Sequence, residues 1–410
     1  MANSFITPGH IAPEALRHLE NELVFGNMVH TDYSKEYAAK GETISIRRPT
    51  QFRAIDNNLD ITGVRQDIEQ ATIPLTLDQT ATIPVELSVK DKTLSFDRFS
   101  EDIIKPAMIE MKDKIERAIA GTYWKFYHYS GTPGTAPGTF LSLAAAGAVM
   151  TDGAIPLSPR YAVHGTDAAV ALADGLKGVF VQDKAKTAFE EAKVGRYAGF
   201  DNYMSVHSPT HVVGVATGTP IVNGASQNVT YDASKATWSQ SLITRDWTNS
   251  TTGILRRGDV ITIANVFAVN PVSKESTGRL QTFTVMADAD SGASTGPATL
   301  TISPPMITSG PYQTVTAAPA NGAAITVKTG NGGASHKQSL LFHPKSIALV
   351  SRPLSIENGA GVKTATRAGN KVTISVTEFI NGNTLAHTIR FDMLFKADVI
   401  DPRLGARLTN

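Results

Sequence analysis

Apolar residues near the start of the chain recur at helical spacing. Leu16, Leu19 and Leu23 lie three and four residues apart, so one face of a helix formed here would be apolar. Pro13 precedes them and is a favourable first residue of a helix. The pattern predicts an amphipathic helix over residues 13–25. We interpret this helix as an arm, because the residues that follow it show no clear period.

A second stretch predicts the strongest helix of the chain, over residues 106–129. Its apolar positions recur at three- and four-residue steps and are Met108, Met111, Ile115, Ile119, Tyr123 and Phe126. The opposite face carries charged residues, namely Lys112, Asp113, Glu116 and Arg117. The loop GTPGTAPGTF follows, and its glycines and prolines end the helix.

From Glu42 onward, apolar and polar residues alternate, as in a half-buried strand. The runs TIPLTL (72–77) and TIPVELSVK (82–90) are also strand-like, and the whole stretch predicts a long two-stranded excursion. Such a ribbon is marginal in water, and Pro74 and Pro84 each remove a hydrogen-bond donor from it. We therefore expect the ribbon to lie against something else, such as another subunit.

Residues 159–213 alternate between strand and helix patterns. RYAVH predicts a strand, and Thr166 with Asp167 is a plausible start of the helix after it. A further helix is predicted over residues 183–193, and DNYMSVHS predicts another strand. The region therefore indicates an α/β layer.

Between the last two of these elements stands GRYAGF, which raises a choice between a ligand grip and a turn. Gly195 suits the left-handed residue at the end of a helix, and Gly199 permits a second reversal. Phe200, Met204 and Val206 would then share one face of a strand. No second basic or aromatic cluster completes a nucleotide site, so we favour the turn.

The composition changes abruptly at Gly214. From there to about Ser335, Thr, Ser, Gly and Asn surround short strand-like runs such as GDVITIANVF and ATLTISP, which predicts a small all-β barrel or sandwich. It contains Arg257-Gly258-Asp259, a cell-adhesion tripeptide that we interpret as a turn. Alternation resumes afterwards, for example in HTIRFDMLFKADV, so the β module is inserted into a discontinuous α+β host.

Composition and motifs argue against an enzyme. The 410 residues carry 38 basic and 37 acidic side chains, and this balance gives no global field that attracts nucleic acid. Without cysteine, disulfides, thiolate metal sites and a cysteine nucleophile are excluded. Phosphate-loop, zinc-protease and hydrolase motifs are missing, and the histidine pairs His10/His18 and His207/His211 lack a well-placed carboxylate. We predict no metal, no cofactor and no membrane segment, and a cytosolic chain.

Several segments, in their order, resemble the major capsid (coat) proteins of tailed bacteriophages. They are IRRPTQFRA through IPVELSVK, WKFYHYSG, RYAVHGTDAAVAL, VGRYAGFDNYMS, RRGDVITIAN, HPKSIALVSRPL and DPRLGARL. More narrowly, the chain is similar to coat proteins of the phage P22 group. The resemblance implies an α+β, Hong Kong 97-type fold with an inserted all-β, Ig-like barrel.

The resemblance also implies a division into named parts. These are an N-terminal arm (1–41), an E-loop (42–92), a peripheral domain with the spine helix (93–158), the first part of the axial domain (159–213), the inserted domain (214–335) and a C-terminal axial and peripheral part (336–410). The segment YDASKATWSQSLITRDWTNST lies where the family has a long charged loop, yet it carries only four charged residues. We therefore do not expect this loop to make contacts across two-fold axes.

The function implied is that of a non-enzymatic subunit of an icosahedral head shell. Hexamers and pentamers of the chain would enclose double-stranded DNA without sequence readout, with a scaffolding protein and a portal protein as partners, in a virion assembled in the host bacterial cytoplasm. The arm and the ribbon are not expected to bury their apolar residues within one subunit. They would bury them against neighbouring subunits. Two alternatives are an exported adhesin-like protein, which would need a signal peptide, and an encapsulin-like shell protein.

Two sets of charged residues are candidate contacts. By resemblance to the family's arm, acidic residues of the first helix are expected to dock a basic scaffolding-protein segment, unless they form only a solvated face: Glu14, Glu20 and Glu22. Basic residues of the excursion are expected to pair with acids on a neighbouring subunit and to set its register: Arg47, Arg48, Arg53 and Arg65.

Overall fold

A computed structural model of the chain describes residues 7–33, 43–54, 66, 68, 70–87, 96–175, 195–354, 356, 359, 362–369, 371–380 and 387–410. The described α-helices are α1 (Pro8–Glu22), α2 (Phe96–Phe99), α3 (Lys105–Ala120), α4 (Phe140–Asp152), α5 (Thr166–Gly175) and α6 (Tyr231–Ser234). The described strands are β1 (Thr43–Arg47), β2 (Thr72–Thr76), β3 (Gln79–Leu87), β4 (His128–Ser130), β5 (Tyr161–His164), β6 (Arg196–Tyr197), β7 (Phe200–Met204), β8 (Thr210–Val212), β9 (Gly218–Val222), β10 (Gln240–Trp247), β11 (Val260–Val269), β12 (Ser276–Val285), β13 (Ala298–Ser303), β14 (Ile325–Val327), β15 (Ser335–Phe342), β16 (Ile347–Arg352), β17 (Val362–Ala368), β18 (Thr373–Ile380), β19 (His387–Val399) and β20 (Gly405–Thr409).

The chain divides into two compact units. The first, here called the helix–sheet unit, comprises Met1–Ser45, Pro74–Thr122 and Ile347–Val399. The second, the barrel unit, comprises Ile46–Ile73, Tyr123–Ser346 and Ile400–Asn410. Both units mix helices with sheets, so the predicted α+β class is confirmed.

An antiparallel sheet of five strands forms the body of the helix–sheet unit. β19 is central: β3 pairs along it from His387 to Phe395, while β18 and then β16 pair along its other edge, and β17 pairs with β18. The run that contains β3 was predicted as half of a long two-stranded excursion that lies against something else, such as another subunit; β3 instead pairs with β19 of its own chain. The strand is completed by residues about 300 positions further along the chain, a pairing that local alternation cannot reveal.

The first helix is buried on its own chain. It begins at Pro8, with Pro13 inside it, and it packs against α3 and against β17 and β18. Its buried side chains share one face: Ile11, Ala12, Ala15 and Leu19. The expectation that this arm waits for a neighbouring subunit is therefore wrong for the described helix, because small alanines allow it to pack closely on the sheet of its own unit.

The long helix begins earlier and ends earlier than predicted. α2, a π-helical turn at Ser100–Ile104 and α3 follow one another without a break, and Gly121 caps the end. The predicted apolar face is confirmed for Met108, Met111, Ile115 and Ile119, which are buried. Tyr123 instead lies in a 3-10 turn, and Phe126 is buried beyond it.

A small two-stranded sheet is formed by β1 and β2, as predicted for this part of the ribbon. Ile44, Ile46 and Leu75 on these strands are buried within the single chain. The apolar face of the described ribbon therefore does not depend on a neighbour for its burial.

A mixed sheet in the barrel unit has the order β4-β20-β15-β5-β7-β6, with β8 also paired to β15. The predicted strand β5 and the helix α5 after it are confirmed, whereas the helix predicted over residues 183–193 lies outside the described residues. Sequence analysis missed α4, which begins with a capping box between Thr139 and Ser142 and packs on β4 and β20.

GRYAGF forms a tight hairpin between β6 and β7, so the predicted turn is confirmed. Ala198 and Gly199 both have positive φ, 51° and 85°, as two-residue hairpin turns require. Val206, predicted on the face of the following strand, lies beyond its end at Met204 and is 84% exposed.

The inserted module is a six-stranded sheet of order β14-β11-β12-β13-β10-β9. A bridge between Ile221 and Ala324 joins the two outer strands, so the sheet closes around an apolar core and the predicted barrel is confirmed. The segment compared with a charged loop contributes α6 and the barrel strand β10, so its placement as a loop is wrong. The segments that enter and leave the barrel pair as β8 and β15.

Candidate functional site

The three acidic residues of α1 all have partners within the helix–sheet unit. Glu14 accepts hydrogen bonds from Arg17 and Ser100, and the bond from Arg17 is the main reason that the pKa of Glu14 lies below its ordinary value, against the opposing effect of burial. Glu20 accepts the Lys371 backbone N–H, and Glu22 lies 3.4 Å from Lys112. The three carboxylates thus lie along one helix, and each of them contacts a residue of the same unit.

A fourth acid of this unit, Glu116, has a structural role that the sequence did not reveal. Glu116 was placed on the charged face of the long helix, yet it is fully buried. Its carboxylate accepts the backbone N–H groups of Val24, Phe25 and Gly26 at 2.9–3.3 Å. Glu116 therefore fixes the turn that follows α1, and only the fold reveals that role.

The four arginines of the excursion differ in exposure and in contacts. Arg47 and Arg53 are exposed, and the Arg53 backbone exchanges two hydrogen bonds with the Gln66 side chain. Arg48 is only 9% exposed and lies over the ring of Trp238. Arg65 lies outside the described residues.

A buried carboxylate, Asp259, organises the place where β8 and β15 meet the barrel. It is fully buried and accepts hydrogen bonds from four groups at 2.7–3.0 Å: His211 Nε2, Thr329 Oγ1, Gly214 N–H and Arg256 N–H. Burial raises the pKa of Asp259, but these bonds outweigh burial and hold it below its ordinary value. We call this group, with Arg407, the Asp259 cluster.

Arg407 is the cation of the Asp259 cluster and comes from the last strand. It is fully buried and donates to the Gly258 carbonyl at 2.8 Å and to Thr284 at 3.2 Å, with the rings of Tyr123 and Tyr129 5.8 Å away. Burial lowers the pKa of Arg407 to about 10. Its contacts join β20 to the barrel strand β12 and to the turn before β11.

These contacts show the conformation and the burial of the Arg-Gly-Asp tripeptide. Gly258 has a φ of 99°, as the predicted turn requires, and Arg257 lies over the ring of Trp124. Because Asp259 is buried and fully bonded, its carboxylate is not displayed for an external partner. The Arg-Gly-Asp motif therefore does not support the adhesin-like alternative.

A second buried group, here called the Arg48 cluster, contains several cations around Trp238. The guanidinium groups of Arg48 and Arg403 lie 5.5 and 5.4 Å from the ring centroid. Asp401 accepts two side-chain hydrogen bonds from Arg403, at 2.8 and 2.7 Å. Burial, together with the charges of Arg403 and Arg53, lowers the pKa of the nearby Lys274 to about 8. Cations thus outnumber the carboxylate in this cluster.

Neither cluster has the make-up of a metal centre. Among the residues that the structure describes, no group of three or more His, Cys, Asp or Glu side chains is placed to hold a metal ion. None of the described helices is long and apolar enough to cross a membrane.

Comparison with known proteins gives a match along almost the whole chain. The family model described as "P22 coat protein - gene protein 5" matches residues 7–410. The major capsid protein of Acyrthosiphon pisum secondary endosymbiont phage 1 is 26% identical over 380 residues, which cover 90% of this chain and 88% of that protein.

Solved structures similar to this one also come from phages. A chain from Mycobacterium phage Che8 is 12% identical, with coverage of 94% of this chain and 90% of that chain and a TM-score of 0.46. The CUS-3 coat protein I-domain is 28% identical over 28% of this chain and 98% of its own length, with a TM-score of 0.20.

Proposed function

The chain belongs to the P22 coat protein family, and from this premise we propose that many copies of it form the icosahedral head shell around the double-stranded DNA of a tailed phage. As a coat protein it is a structural component of the virion and not an enzyme. The family match over residues 7–410 is the observation that carries the proposal. Family membership also favours a phage shell over the encapsulin-like alternative.

Within that shell we assign roles to the two units. The helix–sheet unit is proposed to supply the N-terminal arm and the peripheral domain, with α3 as the spine helix. The barrel unit is proposed to supply the axial domain, built on the sheet that contains β15, and the inserted domain, built on the closed barrel. The E-loop is then shorter than expected from the sequence, because β3 belongs to the five-stranded sheet.

Exposed apolar side chains support contacts between copies. Seven large apolar side chains described between residues 140 and 206 are exposed: Phe140, Leu141, Leu157, Val170, Tyr203, Met204 and Val206. Burial of exposed apolar side chains on a partner is favourable by about 25 cal/mol per Å². We propose that neighbouring copies cover part of this region in hexamers and pentamers.

The charged candidates are carried forward with the partners expected for them. The side chain of Glu22 is 42% exposed, against 21% for that of Glu14, and we propose Glu22 as the first contact of a basic scaffolding-protein segment, with Glu14 and Glu20 beside it. Arg47 and Arg53 are proposed to pair with acids of a neighbour. A portal protein, the packaged DNA and assembly in the bacterial cytoplasm complete the proposal.

Purification of the chain alone and with its phage's scaffolding protein, followed by sedimentation and negative-stain microscopy, tests the shell. Uniform hollow particles are expected. Val206→Asp and Leu157→Asp should then reduce particle yield at least about tenfold by removing apolar burial between copies, while the unfolding of the monomer is unchanged. Val272→Asp, at an equally exposed valine of the barrel, is the matched control. A chain that stays monomeric at every concentration, with or without scaffold, would refute the proposal.

A further inference from the structure

Three asparagines that the structure describes precede a glycine and are exposed: Asn223, Asn321 and Asn331. In such a pair the glycine backbone nitrogen can attack the side-chain amide carbon of the asparagine, because glycine has no side chain in the way. The nitrogen gives up its hydrogen in this attack, so a hydrogen bond that holds the N–H elsewhere opposes the reaction. The three pairs share their dipeptide and their exposure, but they differ in the hydrogen bonds of their glycines.

The first two pairs lie beside each other on the barrel, and the nitrogens of both glycines are engaged. The Gly224 N–H donates to the side-chain oxygen of Asn321 at 2.9 Å, which holds the nitrogen that would attack Asn223. The Gly322 N–H donates to the Val222 carbonyl, also at 2.9 Å, which holds the nitrogen that would attack Asn321. Each attack would have to break a hydrogen bond first, which slows it by about tenfold.

The third pair has no such bond. The Gly332 N–H donates to no acceptor among the residues that the structure describes, whereas the next two N–H groups, of Gly333 and Ala334, are both engaged. Asn331 also lines an open cavity of about 300 Å³, so water has access to its side chain. The nucleophile, the amide and the water needed for a reaction are therefore all available at this pair.

We propose that Asn331 is a site of spontaneous deamidation, with the adjoining backbone nitrogen as nucleophile and water as the second reactant. The Gly332 nitrogen forms a bond to Asn331 Cγ, the Cγ–Nδ2 bond breaks, and ammonia leaves with the hydrogen of the Gly332 N–H. Water then adds to either carbonyl of the cyclic imide and reopens it, which leaves an aspartate or an isoaspartate at position 331. The reaction takes place within one chain and is independent of the proposed shell.

The loop that contains Asn331 carries the chain out of the barrel, between β14 and β15. A Cβ on Gly332 would lie 2.0 Å from the Val215 carbonyl oxygen, so the loop packs closely on the segment that enters the barrel. An isoaspartate lengthens the backbone by a methylene group at this place, and either product adds a negative charge. The proposed modification therefore falls where the entering and leaving segments meet.

The full-length wild-type monomer, incubated in mildly alkaline buffer and cleaved with trypsin, provides the test. Trypsin places the three asparagines on separate peptides, and mass spectrometry with fragmentation measures the fraction of each in which the amide has become an acid. The rate at Asn331 is expected to exceed the rates at Asn223 and Asn321 by at least about tenfold. In urea the three rates should converge, because unfolding releases the N–H groups of Gly224 and Gly322.

Asn321→Ala tests the role of the hydrogen bonds. It removes the acceptor of the Gly224 N–H, so deamidation at Asn223 should become about tenfold faster, whereas Asn321→Asp keeps a side-chain oxygen and should keep the slow rate. Equal rates at the three sites of the folded wild type, or no deamidation at Asn331, would overturn the proposal. An unchanged rate at Asn223 in Asn321→Ala would do the same, and if that variant does not fold, the wild-type comparison decides.

Discussion

The Asp259 cluster and the Arg48 cluster both bury arginine beside an aspartate, yet they differ in how completely their groups are paired. Asp259 accepts four hydrogen bonds from described groups, and Arg407 donates to two acceptors. In the Arg48 cluster, two nitrogens of Arg48 and the indole nitrogen of Trp238 have no described acceptor. In the first cluster the carboxylate is fully bonded within one chain and one nitrogen of Arg407, Nε, has no described acceptor, whereas the second cluster has three such nitrogens and an excess of positive charge.

The difference distinguishes two effects that a buried charged group can have on the stability of the fold. A cluster whose carboxylate is fully bonded holds its elements in one arrangement, here β20, β8 and the start of β11. A cluster with unmatched donors costs stability unless something else supplies the acceptor. Substitutions at the two clusters should therefore have unequal and partly opposite effects.

The largest expected effect is at the Asp259 cluster. Asp259→Ala leaves four donors without an acceptor and Arg407 without its nearby negative charge, so the free energy of unfolding should fall by about 3–5 kcal/mol. Urea denaturation of the monomer measures this. Asp232→Ala, at an exposed aspartate paired with Lys235, should change it by less than about 0.5 kcal/mol. A similar loss of unfolding free energy in both variants would contradict the stabilising role of the buried carboxylate.

Removal of the cation from each cluster tests the comparison most directly. Arg407→Met leaves the Gly258 carbonyl and Thr284 without their donor and should cost about 1–3 kcal/mol. Arg48→Met removes a buried charge of which two nitrogens have no described acceptor, so the free energy of unfolding should change by less than about 1 kcal/mol or rise. Both are measured by urea denaturation in the same buffer. A larger loss for Arg48→Met than for Arg407→Met would reverse the comparison.

The smallest expected effect is a pH dependence confined to the Arg48 cluster. The folded-state pKa of Lys274 is about 8, below the ordinary lysine value of 10.5. Between these values the unfolded chain binds more protons than the folded chain, so stability rises with pH. From pH 8 to 9, the wild type should gain up to about 1 kcal/mol over Lys274→Met. Lys345→Met, at an exposed lysine, should keep the wild-type slope. Parallel curves for the wild type and Lys274→Met would contradict the expectation.

Periodic patterns predicted correctly those elements whose secondary structure depends on the local sequence. The apolar rows of α1 and α3, the alternation in β19 and the turn at Ala198 and Gly199 all follow from local spacing and backbone freedom. The inserted barrel was also predictable, because its composition and its closely spaced turns differ from those of the flanking chain.

Partners distant along the chain were not predictable in the same way. Glu116 reads as one of several charges on a helix surface, and only the placement of Val24, Phe25 and Gly26 makes it a buried acceptor. Arg48 reads as an exposed arginine of a ribbon, yet Trp238 covers it. The docking roles of Glu14, Glu20, Glu22, Arg47, Arg53 and Arg65 remain predictions from resemblance.

By itself, the amino-acid sequence determined the α+β class, the inserted β module and membership in a coat protein family, since these depend on periodicity, composition and the order of motifs. The tertiary structure alone decided that the arm helix and β3 are completed by residues 347–399 of the same chain, and that two buried arginines meet unequal surroundings. The physical reason is that burial and hydrogen bonding depend on neighbours in space, and one sequence position carries no record of those neighbours.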